Sequence, residues 1–99
     1  MIVTKTMEDG VVTLSLDGKL GVSTSAQFHE VVEDALEESN EVILNLKNLS
    51  YISSAGLWVL FLSDKSAKSK GKTLKLINIS KDIMYIFCKS GFHKTLTLG

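Results

Sequence analysis

The residues best suited to chemistry or to reversible modification lie together in one stretch, Asn48-Leu49-Ser50-Tyr51-Ile52-Ser53-Ser54-Ala55-Gly56-Leu57. Small hydroxyl residues at the point where a strand hands over to a helix put Ser53 or Ser54 beside the free N–H groups of the first helical turn. Such a position tolerates an anion, including a phosphate carried by the serine itself, because unpaired backbone donors and the helix dipole both favour negative charge there. Gly56 has no side chain in that first turn, which either leaves the backbone open to a partner or allows another element to pack closely. Three readings follow from the pattern alone: a serine that only caps the helix, a regulatory serine, or a nucleophile. A nucleophile needs a base within hydrogen-bond reach. His29 and His93 are the two histidines, and neither stands at a spacing that suggests a triad; each reads as a surface or capping residue. Neither a Gly-x-Ser-x-Gly elbow nor a glycine-rich phosphate loop ending in Lys and Ser or Thr is present, and Gly18-Lys19-Leu20-Gly21 reads as a turn.

Metal chemistry has less support. One cysteine, two separated histidines and acids strung along a helical face do not assemble a ligand set of known geometry. Cys88 reads as a small buried or half-buried residue. Trp58 falls one helical turn after Ser54, at the margin of the apolar stripe, where a large aromatic either flanks the core or stands exposed as a binding anchor.

The elements that position these residues follow from periodicity. Ile2 to Thr6 and Val11 to Asp17 read as strands separated by Glu8, Asp9 and Gly10, with Val12, Leu14 and Leu16 sharing one face. Asp17-Gly18 signals a turn before a brief extended piece at Lys19 to Val22. Ser23-Thr24-Ser25 opens a helix, with Thr24 and Gln27 as a capping box. Its stripe is Phe28, Val31, Val32, Ala35 and Leu36, and it stops near Ser39-Asn40. The opposite face carries Glu30, Glu33, Asp34, Glu37 and Glu38, most simply a solvated surface and otherwise a dock for a basic partner; the late acids oppose the helix dipole. Val42 to Leu46 is a strand, Asn48 to Ser54 a loop, and Ala55 to Ala67 or Ser69 a helix whose inner stripe is Leu57, Leu60 and Phe61. Lys65, Lys68, Lys70, Lys72 and Lys75 give this part a positive counterpart to the acidic helix, and the two sets are expected to be neighbours. Thr73 to Ile77 is a strand. Ser80 caps a helix whose Ile83, Ile86 and Phe87 meet the core, Gly91 ends it, and His93 to Leu98 closes the sheet as an edge strand. The order implies one α/β domain over residues 1–99, a mixed sheet with helices packed on it and right-handed crossovers.

Ninety-nine residues exclude a large cofactor enzyme with a separate substrate domain. Eleven lysines balance eleven acids, and no arginine is present, so nucleic acid is a poor first candidate for a partner. Hydrophobic residues make up 44% of the chain, enough for a packed core and against disorder. The lone Cys88 fits a reducing compartment. Met1 to Met7 lacks the basic and apolar regions of a secretory signal, and no apolar run approaches the length of a membrane span. The expectation is a small soluble cytoplasmic domain.

With those residues in place, the sequence resembles the STAS domain family, specifically the bacterial anti-sigma factor antagonists. The likeness rests on Tyr51-Ile52-Ser53-Ser54-Ala55-Gly56-Leu57 and the apolar helix through Leu62, with Leu16-Asp17-Gly18-Lys19-Leu20 matching the family's Gly-x-Leu turn. It extends over essentially the whole chain in length and element order. Ser54 falls on the family's phosphorylatable serine and Gly56 on its glycine. The resemblance implies a non-enzymatic switch without a cofactor of its own. The unmodified domain binds an anti-sigma factor with serine kinase activity and frees the sigma factor; phosphorylation of Ser54 by that partner, which holds ATP and magnesium, ends the binding, and a protein phosphatase reverses it. Gly21, Thr24, Ser53, Ser54, Gly56 and Trp58 are the expected partner-binding residues, with no direct nucleic-acid contact and no membrane insertion. Two positions depart from the family pattern: Ser53 stands where Asp is common, and Gly21 where a polar, often acidic, residue is common. The alternative is an unphosphorylated STAS subunit or regulator of a lipid-transport or signalling complex, using much the same face.

Overall fold

The computed structural model describes residues 1–94 and 96–98. Strand β1 (Ile2–Glu8) turns back on β2 (Val11–Leu20), followed by α1 (Val22–Glu38), β3 (Glu41–Ile52), α2 (Ser54–Ser69), β4 (Thr73–Ile77), α3 (Lys81–Ser90), a 3-10 turn (Phe92–Lys94) and β5 (Thr97–Leu98). The five strands lie side by side in chain order. β1 is antiparallel to β2, and every later neighbour is parallel, so the sheet is mixed as expected. The β1–β2 turn needs two positive φ angles, which Asp9 (52°) and Gly10 (79°) supply.

One face of the sheet carries the core. Val12, Leu14 and Leu16 lie beside Val42, Leu44 and Leu46, with Leu74 and Leu76 next in register, all buried. Helix α1 adds Phe28, Val32, Ala35 and Leu36, and α3 adds Ile83 and Phe87. Val11, Thr13, Ser15, Ile43, Asn45, Lys75 and Ile77 on the other face are half-exposed, the alternation of a sheet covered on one side. Helices α1 and α2 also pack against each other. There Glu33 of α1 meets Ser66 Oγ at 2.9 Å and Lys70 Nζ at 3.3 Å, so the acidic and basic sets touch at this pair. Burial pushes the Glu33 carboxyl upward, but the Ser66 hydroxyl, Lys70 and His29 outweigh it and hold the carboxyl below the ordinary glutamate range. Cations also answer the late acids of α1: Lys5 Nζ lies 2.6 Å from Glu38, and Lys72 Nζ donates to the terminal-turn carbonyl of Leu36.

Several boundaries depart from the sequence reading. β2 runs unbroken to Leu20, with Gly18 (φ 113°) inside it instead of in a turn. β3 continues through the expected loop to Ile52. The ladder explains both: Ser15 and Asp17 face Asn45 and Asn48, and Gly18 and Lys19 face Leu49 and Tyr51, so β3 inserts an extra residue at two places. Each bulge reverses which side chains face inward, so the core positions of β3 pass from Leu46 to Leu49 to Ile52. Helix α1 begins at Val22 with Gly21 as N-cap, and Thr24 sits in the first turn instead of at its start; Gly21 N–H donates to Thr24 Oγ1 at 2.9 Å. Phe61 is half-exposed, while Val59, Ser63, Asp64 and Ala67 join the buried face of α2 because that helix packs on α1 as well as on the sheet. Cys88 is exposed, since Ile83 and Phe87 give α3 its inner side. The C-terminal edge strand is only β5, preceded by the 3-10 turn. The expectation for the His93 side chain lies outside the described residues. No helix among the described residues is long and apolar enough to cross a membrane.

Candidate functional site

The two adjacent serines have different surroundings. Ser53 is the N-cap of α2, in extended backbone, and its Oγ accepts the Gly56 N–H at 3.2 Å, satisfying one of the donors left free at a helix start. Its own N–H donates to Leu20 O at 2.9 Å, which ties the start of α2 to the end of β2. Ser54 is the first residue of the helix and is exposed, and no hydrogen bond engages its hydroxyl among the described residues. Ser53 therefore does the capping and Ser54 is left available.

Gly56 makes this arrangement possible by close packing. It is buried, and a Cβ there would stand 2.8 Å from Leu20 O and 2.9 Å from both Leu20 Cγ and Ile52 Cγ1. The expectation that Gly56 presents an accessible backbone to a partner is corrected accordingly: its missing side chain lets α2 approach the end of β2. Gly21, half-buried, follows Leu20 and starts α1 on the neighbouring strand. The Thr24 hydroxyl is used within that loop, accepting from Gly21 N and lying 3.3 Å from Lys19 O. Thr24 also lines a cleft of about 180 Å³ between β1 and α1, with Met1, Val3, Gln27, Phe28 and Val31. Ser50 Oγ donates to Gly18 O at 3.0 Å, pinning the second bulge of β3.

Strands β2 and β3 thus deliver two helix N-termini to the same end of the sheet, and neither helix has an acid in its first turn. Exposed apolar side chains border this end, with Val22 80%, Tyr51 49% and Trp58 55% exposed. Trp58 is not a core flank; it stacks on Phe61 with ring centroids 5.4 Å apart, and Phe61 stacks on Phe92 at 5.7 Å. The sequence reading missed Val22, Tyr51 and the aromatic column, although Trp58 and Phe61 at i, i+3 carried a signal for part of it. His29 Nε2 lies 3.2 Å from Glu33, on a later turn of α1. Among the described residues no cluster of three or more histidine, cysteine, aspartate or glutamate side chains forms a metal site.

This end of the sheet thus joins two helix starts, exposed apolar side chains and the unengaged Ser54 hydroxyl. The chain belongs to the STAS domain family, whose pattern it matches over residues 3–99. It is 28% identical over 88 residues to the anti-sigma-B factor antagonist of Bacillus subtilis, covering 89% of this chain and 81% of that protein. It is 25% identical over 91 residues to the anti-sigma F factor antagonist of Paenibacillus polymyxa, covering 90% and 78%. The structure of the Bacillus cell fate determinant SpoIIAA in its phosphorylated form superposes with a TM-score of 0.75 at 19% identity, covering 99% of this chain and 91% of that one.

Proposed function

We propose that this domain is an anti-sigma factor antagonist that acts by binding and not by turnover. Its partner is an anti-sigma factor with serine kinase activity; binding frees the sigma factor, and phosphorylation of Ser54 ends it until a phosphatase restores the serine. The observation that carries this reading is the division of labour at the junction: Ser53 supplies the cap and Ser54 Oγ is exposed and unengaged. The names of the two bacterial relatives support the class of partner.

A phosphate adds up to about two negative charges and three acceptor oxygens. At the first position of α2 it meets unpaired N–H groups and the positive end of the helix dipole, so the fold accommodates it. Its effect falls on a partner that must desolvate the surface around Val22, Tyr51 and Trp58. Gly56 acts by setting the approach of α2 to β2, Gly21 as the N-cap of α1, and Thr24 by holding the loop before α1. The test is affinity capture from host lysate with wild type and Ser54→Asp in parallel, the fold of each checked by circular dichroism. A kinase-like regulator held by wild type and lost from the variant is the expected result. Equal capture of the same proteins by both baits refutes the charge switch and favours a constitutive STAS subunit.

A further inference from the structure

Beyond Ser54, helix α2 leads to a second surface feature. Trp58, one turn on, begins a column of three stacked rings, Trp58, Phe61 and Phe92, that joins α2 to the 3-10 turn after α3. None of the three is buried. Lys65 Nζ lies 5.4 Å from the Phe61 ring centroid. On α3, Lys89, three residues before Phe92, has its Nζ 5.6 Å from the ring of exposed Tyr85. Acids are scarce on these elements. The only one in α2 is Asp64, buried and 2.9 Å from Lys68, and the only one in α3 is Asp82, in the first turn at the end opposite Lys89. Of the other exposed acids, Glu30, Asp34, Glu37 and Glu38 belong to α1, and Glu8, Asp9, Asp17 and Glu41 to strands or to the β1–β2 turn.

We propose that the Trp58–Phe61–Phe92 column, with Lys65 over its central ring, is the docking surface for an acidic segment of a partner protein, with an apolar side chain of that segment seated against Trp58. Charge complementarity selects this occupant. An exposed aromatic column with a cation over one ring recruits carboxylates beside an apolar anchor, because an ammonium on a ring keeps an outward side free to pair. Nucleic acid and anionic membranes need more: phosphate backbones are held by multiple cations, and lipid-binding clusters typically hold about four to eight lysines or arginines. Of the five lysines on these elements, Lys68 pairs with Asp64 and Lys81 lies in the first turn of α3, at the end opposite Lys89, which leaves Lys65, Lys89 and Lys94 on a chain with eleven basic and eleven acidic residues, short of such a cluster. The inference rests on the switch reading of Ser54 and extends it, since a phosphate one turn from Trp58 repels an acidic segment directly.

The test displays a random short-peptide library to the full-length chain. Wild type is expected to enrich peptides that place aspartate or glutamate around one large apolar residue. Trp58→Ala, an exposed position, is expected to weaken those peptides by about thirtyfold or more, the loss typical of an interface anchor. Lys65→Glu is expected to weaken them by about fivefold, in keeping with reversal of a rim charge. Absence of acidic enrichment, enrichment of basic peptides, or undiminished binding by Trp58→Ala overturns the proposal. So does cosedimentation with phosphatidylglycerol vesicles in place of peptide selection. Ser54→Asp separates the two readings: Trp58-dependent binding that this variant leaves unchanged supports the docking surface and refutes the switch. A kinase-like regulator lost from Ser54→Asp, with no acidic peptide enriched, refutes the docking surface and leaves the switch standing.

Discussion

Replacing Gly56 by alanine tests the packing on which the site depends. The added methyl would stand 2.8 Å from Leu20 O and 2.9 Å from Leu20 Cγ and Ile52 Cγ1. A side chain can rotate away, but the carbonyl is backbone and is already fixed by the Ser53 N–H at 2.9 Å. Overpacking of this kind costs about 1–3 kcal/mol. Alanine recovers up to about 1 kcal/mol in a helix interior and less in the first turn, so the net loss is about 1–2 kcal/mol. For a domain of this size that lowers the melting temperature by about 5–15 °C. Urea denaturation followed by circular dichroism measures the loss. Amide exchange at Ser53 supplies an independent reading, because retreat of Leu20 O weakens its bond and speeds exchange there. A Gly56→Ala domain as stable as wild type, with an unchanged Ser53 amide, would show that α2 does not need its close approach to β2.

Two further outcomes follow from the same geometry. Ser53→Ala removes the cap on α2 and is expected to cost about 1 kcal/mol, whereas Ser53→Asp restores an acceptor at the helix start and stays near wild type; thermal melts of the pair decide this, and equal losses would refute a capping role. Glu33 has a folded-state pKa held below its unfolded value, so its contribution is complete above the unfolded value, near pH 4, and disappears as pH falls through the lower folded value. Glu33→Gln is therefore expected to be less stable than wild type at neutral pH and to converge on it in acid. Parallel curves across that range in urea titrations would contradict the assignment.

What the sequence disclosed depended on whether a signal was local. Strand β4 and helix α3 appear as read because each is marked by its own residues: alternation in Thr73–Ile77, the Ser80 hydroxyl accepting the Ile83 N–H, and Gly91 at φ 80°. The far half of β3 was hidden because period-two reasoning assumes a constant phase, and two bulges reset it between Leu46, Leu49 and Ile52. Phe61 was misplaced inward because a helical stripe gives a direction and not its width; packing on α1 turns α2 so that Ser63, Asp64 and Ala67 take the buried side. At the site itself, the strand–helix junction with its two serines was visible. Which serine caps was not, since that depends on the bond from Ser53 N to Leu20 O, made across strands far apart in the chain.

Under the proposed switch, the place of Ser54 in a folded first turn also governs how the residue would be recognised. Its neighbours are held before and after it, Ser53 by Leu20 and Gly56 by the Ser53 hydroxyl, so the segment cannot be drawn out as an extended peptide without breaking the junction. An enzyme that reads a linear motif finds none presented here. One that acts on Ser54 must fit the assembled ends of two strands and two helices, so the address of the hydroxyl is written in three dimensions, and unfolding erases it together with the binding face.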